Sequence, residues 1–445
     1  MAVSQTTPKK KKKKCAVGHT RAIQADRVRR CNSVPLDQQV ADELTDLIHP
    51  HTLAQVAHFH RLGLRDRVLN LPVMVGLLLM MVWRQIGSAT ELVRLLGQEG
   101  FFWCSPVQVS AQALTQRLAS FPATLFQQVL EAVLPVMQAR FAARTRPLPP
   151  AIAWAQARYV AVLAVDGSTL DALLRKVGLL RDATHHPLAG RMTALLDLAS
   201  HLPRQVWFEE DPKASDQRCW PQIQAAVQKG SLLLYDLGYT NFAVFRALTE
   251  AGVTWLTRAK TNLVYTVEQV LVRTAQVRDE LVWIGTGTER QQVRLVQVLV
   301  GASWRRYLTS ELDPQRLPAA YVAALYAQRW RIEEAYCLVK RLLGLAYFWT
   351  GHQNGVLLQL WASWLLYAVL IDLTDAVAAQ LCLPLSALSV EMTYRSLYYF
   401  TNARQQGKAT DVVAYLAENA PWLGIIKRKR KAKSPPPLLT NLAGA

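Results

Sequence analysis

Residues 326–340 read YAQRWRIEEAYCLVK. Tyr326, Arg329, Glu333 and Lys340 follow one another at spacings that an α-helix, turning about 100° per residue, places on one stripe. An apolar stripe lies about 100° away and consists of Ile332, Ala335, Val339 and Leu342. The stretch therefore predicts a helix with one side for a hydrophobic core and another that carries a carboxylate, a phenol and two cations. For this helix alone, ordinary surface salt bridges such as Arg329–Glu333 are the alternative.

The composition of the rest of the chain indicates a globular, basic protein. Its 445 residues, 51% of them hydrophobic, are enough for two or three domains with a large core. The formal net charge is +19, and twelve of these charges lie in two tracts, at 9–14 and 427–433. The other seven belong to the remainder of the chain. This balance favours attraction to a polyanion such as nucleic acid, although a basic tract that only aids solubility is the alternative.

Cysteine usage and hydropathy exclude several classes of protein. The six cysteines, at 15, 31, 104, 219, 337 and 382, contain no CxxC pair, which argues against a zinc ribbon or a disulfide framework and favours a reducing cytoplasm. The lysine-rich start does not resemble a signal peptide. The apolar stretches 68–83 and 356–371 are shorter than the ~20 residues that a bilayer requires. We therefore expect buried core helices and no membrane.

Changes in sequence texture predict five segments. A disordered basic leader over 1–35 precedes an all-helical N-terminal domain over 36–143, in which Ser88 and Glu91 predict a capping box. Prolines in 144–150 end it. An α/β domain is predicted over 151–345, with an all-β segment at about 261–309. A helical C-terminal region over 346–420 and a basic, proline-rich tail over 421–445 follow.

Two predicted strands of the α/β domain end in an aspartate. Residues 159–165 lead into Asp166, and residues 231–235 lead into Asp236. Residues 191–198, 204–208 and 253–257 predict further strands, with helices at 214–228, 241–251 and 317–343. Because sites in open α/β sheets form at the ends of strands, we expect Asp166, Asp236 and Glu333 to meet.

Three carboxylates in one place repel one another, and a divalent cation relieves this repulsion. Ligands that are all oxygen favour Mg²⁺ or Mn²⁺ over zinc. Two such ions about 4 Å apart clamp the attacking and leaving oxygens of a phosphoryl transfer. Arg329 and Lys340 would then hold phosphates of a nucleic-acid strand.

The order of strand, Asp, strand, Asp, β-rich segment and helix with Glu resembles the DDE transposases of bacterial insertion sequences. The similarity is to the insertion-sequence-four-like group, which has a Tyr-x2-Arg-x3-Glu-x6-Lys signature. Tyr326, Arg329, Glu333 and Lys340 match all four positions. Asp166-Gly-Ser and Asp236-Leu-Gly-Tyr match the two aspartate motifs. The resemblance spans about 155–345.

This resemblance implies a ribonuclease H-like catalytic domain with an all-β insertion, and cut-and-paste DNA transposition. It implies that Asp166, Asp236 and Glu333 bind two Mg²⁺ ions, and that a nick at the element's end frees a 3′-OH for strand transfer. Further residues implied in DNA binding are Tyr326, Arg329, Lys340, Arg258 and Trp304. Trp304 lies one residue from the position at which relatives stack a flipped base, and core packing is the alternative for it. Double-stranded DNA as partner, a homodimer in a synaptic complex and a cytoplasmic location at the nucleoid are also expected.

Other functions remain open from the sequence. A metal-dependent DNA nuclease without strand transfer needs the same carboxylates. A DNA-bridging protein with decayed carboxylates is a third hypothesis, although the signature is intact. Glu334 points about 100° from the stripe and is excluded as the catalytic acid. Asp197 and Asp216 are interpreted as structural or surface residues.

Overall fold

The computed structural model describes residues 37–86, 88–170, 190–211, 213–345 and 352–428. The predicted basic leader at 1–35 and the tail from residue 429 onward lie outside the described residues. The described residues form a mixed α/β structure with a large mixed sheet, preceded and followed by helices.

Helices make up the described N-terminal part of the chain. They are α1 (Gln38–Leu53), α2 (Val56–Arg61), α3 (Leu71–Trp83), α4 (Ala89–Gln98), α5 (Ala111–Ser120), α6 (Ala123–Ala143) and α7 (Pro150–Gln156). α3 begins where the Asn70 side chain accepts a hydrogen bond from the Val73 amide, and eleven of its residues are buried. Ser88 is the N-cap of α4: its hydroxyl accepts from the Glu91 amide at 3.2 Å, so the predicted cap is confirmed. The Glu91 carboxylate of the predicted capping box pairs with Arg94.

Removal of this cap should destabilise the fold by a small, measurable amount. We expect Ser88→Ala to lower the free energy of unfolding by about 1 kcal/mol, because the Glu91 amide loses its partner at an exposed helix end. Denaturant unfolding measures this change. Ser120→Ala, which removes an exposed hydroxyl at the other end of a helix, should stay within about 0.5 kcal/mol of the parent. Equal values for the two variants would contradict a capping role.

One sheet of nine strands runs through the described chain. Its strands are β1 (Val162–Thr169), β2 (Arg191–Asp197), β3 (Pro203–Glu209), β4 (Leu232–Tyr235), β5 (Thr254–Arg258), β6 (Tyr265–Arg273), β7 (Val277–Ile284), β8 (Gln291–Val300) and β9 (Ser303–Thr309). The spatial order is β3-β2-β1-β4-β5-β9-β8-β7-β6. β1, β4 and β5 are parallel to one another, and all other neighbours are antiparallel. Helices α8 (Trp220–Ala226) and α9 (Phe242–Glu250) connect β3 to β4 and β4 to β5.

The strands β6–β9 occupy the range predicted as all-β. They continue the sheet from β5, since Leu256, Thr257 and Arg258 pair with Thr309, Leu308 and Tyr307. A buried ion pair between Arg294 and Asp279 joins β8 to β7 at 2.6 Å. The same guanidinium donates to the Leu317 carbonyl at 2.7 Å. The β-rich segment therefore fixes the start of the helix that carries the signature residues.

The helices after the sheet are α10 (Ala319–Gln328), α11 (Trp330–Cys337), α12 (Gln353–Gln380), α13 (Val390–Gln405) and α14 (Val412–Glu418). A single helix over 317–343 is therefore not observed. The helix is interrupted at Arg329, because the amides of Arg329 and Ile332 donate to the carbonyl three residues earlier rather than four. A π-helical turn over Leu338–Leu342 follows α11.

The helix α12 is long and apolar enough to cross a membrane, but 83% of its most apolar window is buried in the protein. It lies in a hydrophobic core to which α3, α6, α11 and α14 also contribute. This packing is that of a core helix, as its sequence predicted. Helices from both ends of the described chain therefore share one hydrophobic core with α11.

Candidate active site

Two aspartates lie at matching positions on neighbouring parallel strands. Val165 on β1 is in register with Tyr235 on β4, and Asp166 and Asp236 are the next residues. Adjacent strands are about 4.8 Å apart, so the two backbones bring these carboxyl groups together near the C-terminal end of β4. The prediction that Asp166 ends its strand was wrong. β1 continues to Thr169 because Asp166–Thr169 still pair with Arg191–Ala194 on β2.

The α10–α11 stripe contacts the ends of these strands. The Tyr326 hydroxyl donates to Asp236 Oδ1 at 3.2 Å, and Arg329 Nη1 donates to Asp166 Oδ2 at 2.9 Å. Glu333 Oε1 lies 3.9 Å from the same Arg329 nitrogen. Lys340 Nζ donates to Ser168 Oγ at 2.5 Å and to the Thr169 carbonyl at 2.7 Å. The interrupted helix thus still directs all four side chains towards β1 and β4.

Arg329 is a buried cation among three carboxyl groups. Its side chain is 5% exposed, and it is paired with Asp166. Burial lowers the pKa of the guanidinium, but Tyr326, Asp166 and Asp236 raise it above its ordinary value overall. In this structure Arg329 therefore contacts protein carboxylates, whereas the sequence predicted that it binds a phosphate of nucleic acid.

The Asp166 carboxyl group has a raised pKa, and burial is the main cause. Burial and, to a smaller extent, the neighbouring Glu333 raise the pKa of this carboxyl to about 7, against the opposing effect of Arg329. The Asp166 side chain is 14% exposed, whereas that of Glu333 is 43% exposed. Two carboxyl groups that adjoin the same guanidinium ionise together more readily when a cation compensates their charge.

Tyr336 is a supporting residue that the sequence interpretation omitted. Its buried hydroxyl donates to the Asp166 carbonyl at 2.5 Å and accepts from the Ala194 amide at 3.0 Å. The contact fixes α11 against β1 and β2. Tyr336 follows Glu333 by three residues, so the helical spacing placed it on the same stripe, but the signature that was matched does not include it.

The other predicted contact residues, Arg258 and Trp304, lie at or beyond the C-terminal end of β5. Arg258, the exposed last residue of β5, is close enough to affect the pKa of both Tyr307 and Tyr326. Because β9 is antiparallel to β5 and pairs Tyr307 with Arg258, Trp304 lies beyond the C-terminal end of β5, and strand alternation places its side chain on the opposite face of the sheet from that of Arg258. Its half-buried ring packs under the Arg278 guanidinium, 4.6 Å from the ring centroid.

Three acids that were excluded from the site have other partners. Glu334 is exposed and pairs with Arg331 at 2.9 Å. Asp197 is buried and accepts from the Ala199 and Ser200 amides, which is a structural turn. Asp216 forms an ion pair with Arg191.

The carboxyl groups suit a divalent metal chemically but are not preassembled for one. Within the described ranges, no group of three or more His, Cys, Asp and Glu side chains is arranged to hold a metal ion. Arg329 and Tyr326 each occupy an oxygen that a metal would need. The raised pKa of Asp166 and the buried cation nevertheless indicate a place where negative charge requires compensation. Asp166, Asp236 and Glu333 therefore fit a hard cation with oxygen ligands.

Comparison with known proteins identifies the region that contains these residues. Residues 162–368 match the transposase DDE domain. This DDE match includes β1, β4 and α11, and hence all three acids. A curated protein of Sinorhizobium fredii named "Putative transposase y4zB" is 28% identical over 188 residues, or 40% of this chain. The chain spans about half (52%) of the length of that relative.

Proposed function

We propose that this protein is a transposase that cleaves DNA at the terminal inverted repeats of an insertion sequence and joins the freed 3′-OH to a new strand. The observation that carries the proposal is the convergence of Asp166, Asp236 and Glu333 on one buried cation within the DDE match. The strand order β3-β2-β1-β4-β5 supports a ribonuclease H-like catalytic domain, with β6–β9 as its all-β insertion. The domain boundaries, the homodimer and DNA binding by the N-terminal helices belong to the same proposal.

Asp166, Asp236 and Glu333 would hold divalent metal, taken here as two Mg²⁺ ions with Mn²⁺ as a substitute. Bound metal would lower the pKa of the attacking water or hydroxyl group and neutralise charge on the phosphate. The chain's own residues orient these ligands. Tyr326 holds Asp236 by a hydrogen bond, and Tyr336 fixes the backbone of Asp166. Release of Arg329 from Asp166 would free a carboxylate oxygen and leave a guanidinium for a DNA phosphate.

The test is a Mg²⁺-dependent assay on DNA that carries the element's terminal inverted repeats. A transposase gives nicks at the repeat ends followed by products in which the freed 3′ end is covalently joined to another strand. A metal-dependent nuclease gives cuts without joined products, because it uses only water as nucleophile. Absence of both, with DNA binding retained, would favour a DNA-bridging protein.

Lys340 provides a test of the DNA path along α11. We propose that its ammonium, which is bound to Ser168 and Thr169 at the edge of the site, also contacts a phosphate. Lys340→Ala should then reduce the slope of log K against log salt by about one unit. Lys229→Ala is the matched control, because this exposed lysine precedes β4 and Asp236 follows it, so the two lie at opposite ends of the strand. Equal slopes for the two variants would place Lys340 away from the DNA backbone.

A further inference from the structure

A fourth carboxyl group lies between the two catalytic aspartate motifs. Gly167 follows Asp166, and Gly238 is two residues after Asp236. A β-carbon on Gly167 would clash with Asp216 Oδ1, and one on Gly238 would lie only 2.9 Å from Asp216 Oδ2. Both glycines are thus needed for the close approach of this carboxylate.

Arg191 holds Asp216 in this position from the neighbouring strand. It lies on β2 opposite Thr169, and its Nη2 forms the ion pair with Asp216 Oδ1. Its Nη1 donates to the Ala214 carbonyl at 3.3 Å. The side chains are 16% and 24% exposed, so the pair is largely shielded from solvent. It therefore connects β2, which pairs with β1, to the segment before α8.

The segment around Asp216 is also tied to the turn that follows Asp236. Gln217 Nε2 donates to the Thr240 carbonyl at 3.0 Å, and Asn241 Nδ2 donates to Gln217 Oε1 at 3.2 Å. Asp216 begins the short 3-10 helix Asp216–Cys219, and the Ser215 hydroxyl caps it by accepting from the Gln217 amide. One continuous set of contacts therefore runs from β1 and β2 through Arg191 and Asp216 to the loop after β4.

We propose that Asp216 and Arg191 are positioning residues that fix the separation of Asp166 and Asp236. The catalytic role of these two residues rests on the proposed function, whereas their contacts with the two aspartate motifs do not. A site of this kind tolerates displacements of only about 0.5 Å before rates fall. A charged pair that contacts both aspartate motifs restricts the relative movement of the chain segments that contain Asp166 and Asp236. Asp216 acts through the backbone of these motifs and is not itself a ligand of the reacting groups.

The first experiment measures hydrogen exchange of the full-length protein without DNA or metal. Asp216→Asn keeps the side-chain shape and removes its charge. It should accelerate amide exchange at least fivefold in two separate segments, 162–170 and 236–241. Arg218→Gln is the matched control, because it removes the exposed ion pair Arg218–Glu209 from the same 3-10 helix. Faster exchange confined to 211–219 in the Asp216→Asn protein would overturn the proposal.

The second experiment separates this proposal from the proposed function. If the parent protein cleaves DNA, Asp216→Asn and Arg191→Gln should lower kcat about 10- to 100-fold while KM for DNA stays within twofold, at temperatures where both variants remain folded. Arg218→Gln should match the parent. A kcat equal to that of the parent, in a folded Asp216→Asn protein, would show a merely structural role. If the parent does not cleave DNA, the exchange experiment alone decides the positioning of the two segments.

Discussion

Asp166→Asn, Asp236→Asn and Glu333→Gln should each reduce metal-dependent DNA cleavage by at least about 10³-fold, which corresponds to about 4 kcal/mol of transition-state stabilisation. Each substitution removes one carboxylate from the group that surrounds Arg329 while it preserves the side-chain volume. The loss should lie in the chemical step. We therefore expect DNA affinity at the repeat ends, measured by fluorescence anisotropy, to change by less than about threefold.

Glu334→Gln is the control for this set. Glu334 is the neighbour of Glu333, but it is exposed and pairs with Arg331 and Lys427. Its cleavage rate should stay within twofold of the parent. If all three acid variants cleaved DNA at the parental rate, the proposed active site would be wrong. If Glu334→Gln lost activity and Glu333→Gln did not, α11 would be assigned with the wrong face towards the strands.

The second large effect concerns the stability of the metal-free protein as a function of pH. Burial and Glu333 raise the pKa of Asp166 to about 7, from an ordinary value of 3.8. A raised pKa means that the folded state binds this proton more tightly than the unfolded state does. Its contribution to stability is therefore complete below about pH 4 and is lost as the pH rises through 7. Between pH 5 and pH 8 the loss should be about 2–3 kcal/mol.

Comparison with Asp166→Asn isolates this contribution, because asparagine does not titrate. In EDTA, the free energy of unfolding of the parent should fall by about 2–3 kcal/mol relative to that of Asp166→Asn between pH 5 and pH 8. Glu334→Gln should run parallel to the parent. Parallel curves for the parent and Asp166→Asn would mean that Arg329 keeps Asp166 ionised.

Local patterns predicted much of the α/β core. β4 begins one residue after its predicted start and ends as predicted, and β5 is shifted by one residue from its predicted range. Short apolar runs between polar turns give a strong strand signal, because their side chains must be buried on both faces of the sheet. Errors occurred where pairing decides the length of an element. β1 continues past Asp166 because β2 supplies hydrogen-bond partners, and these come from a segment that local sequence does not place beside it.

The sequence by itself determined that Tyr326, Arg329, Glu333 and Lys340 share one helical stripe, and that each aspartate follows an apolar run, because these features depend on spacing alone. Tertiary structure decided their partners. Arg329 contacts Asp166, from which it is separated by more than 160 residues, and this contact depends on the parallel pairing of β1 with β4 and on the support of α11 by the helical core. Asp216 was interpreted from its local sequence as structural or surface, whereas packing places its carboxylate between Gly167 and Gly238. The physical reason is that burial, charge and distance are properties of residues brought together by the fold, and no local spacing encodes them.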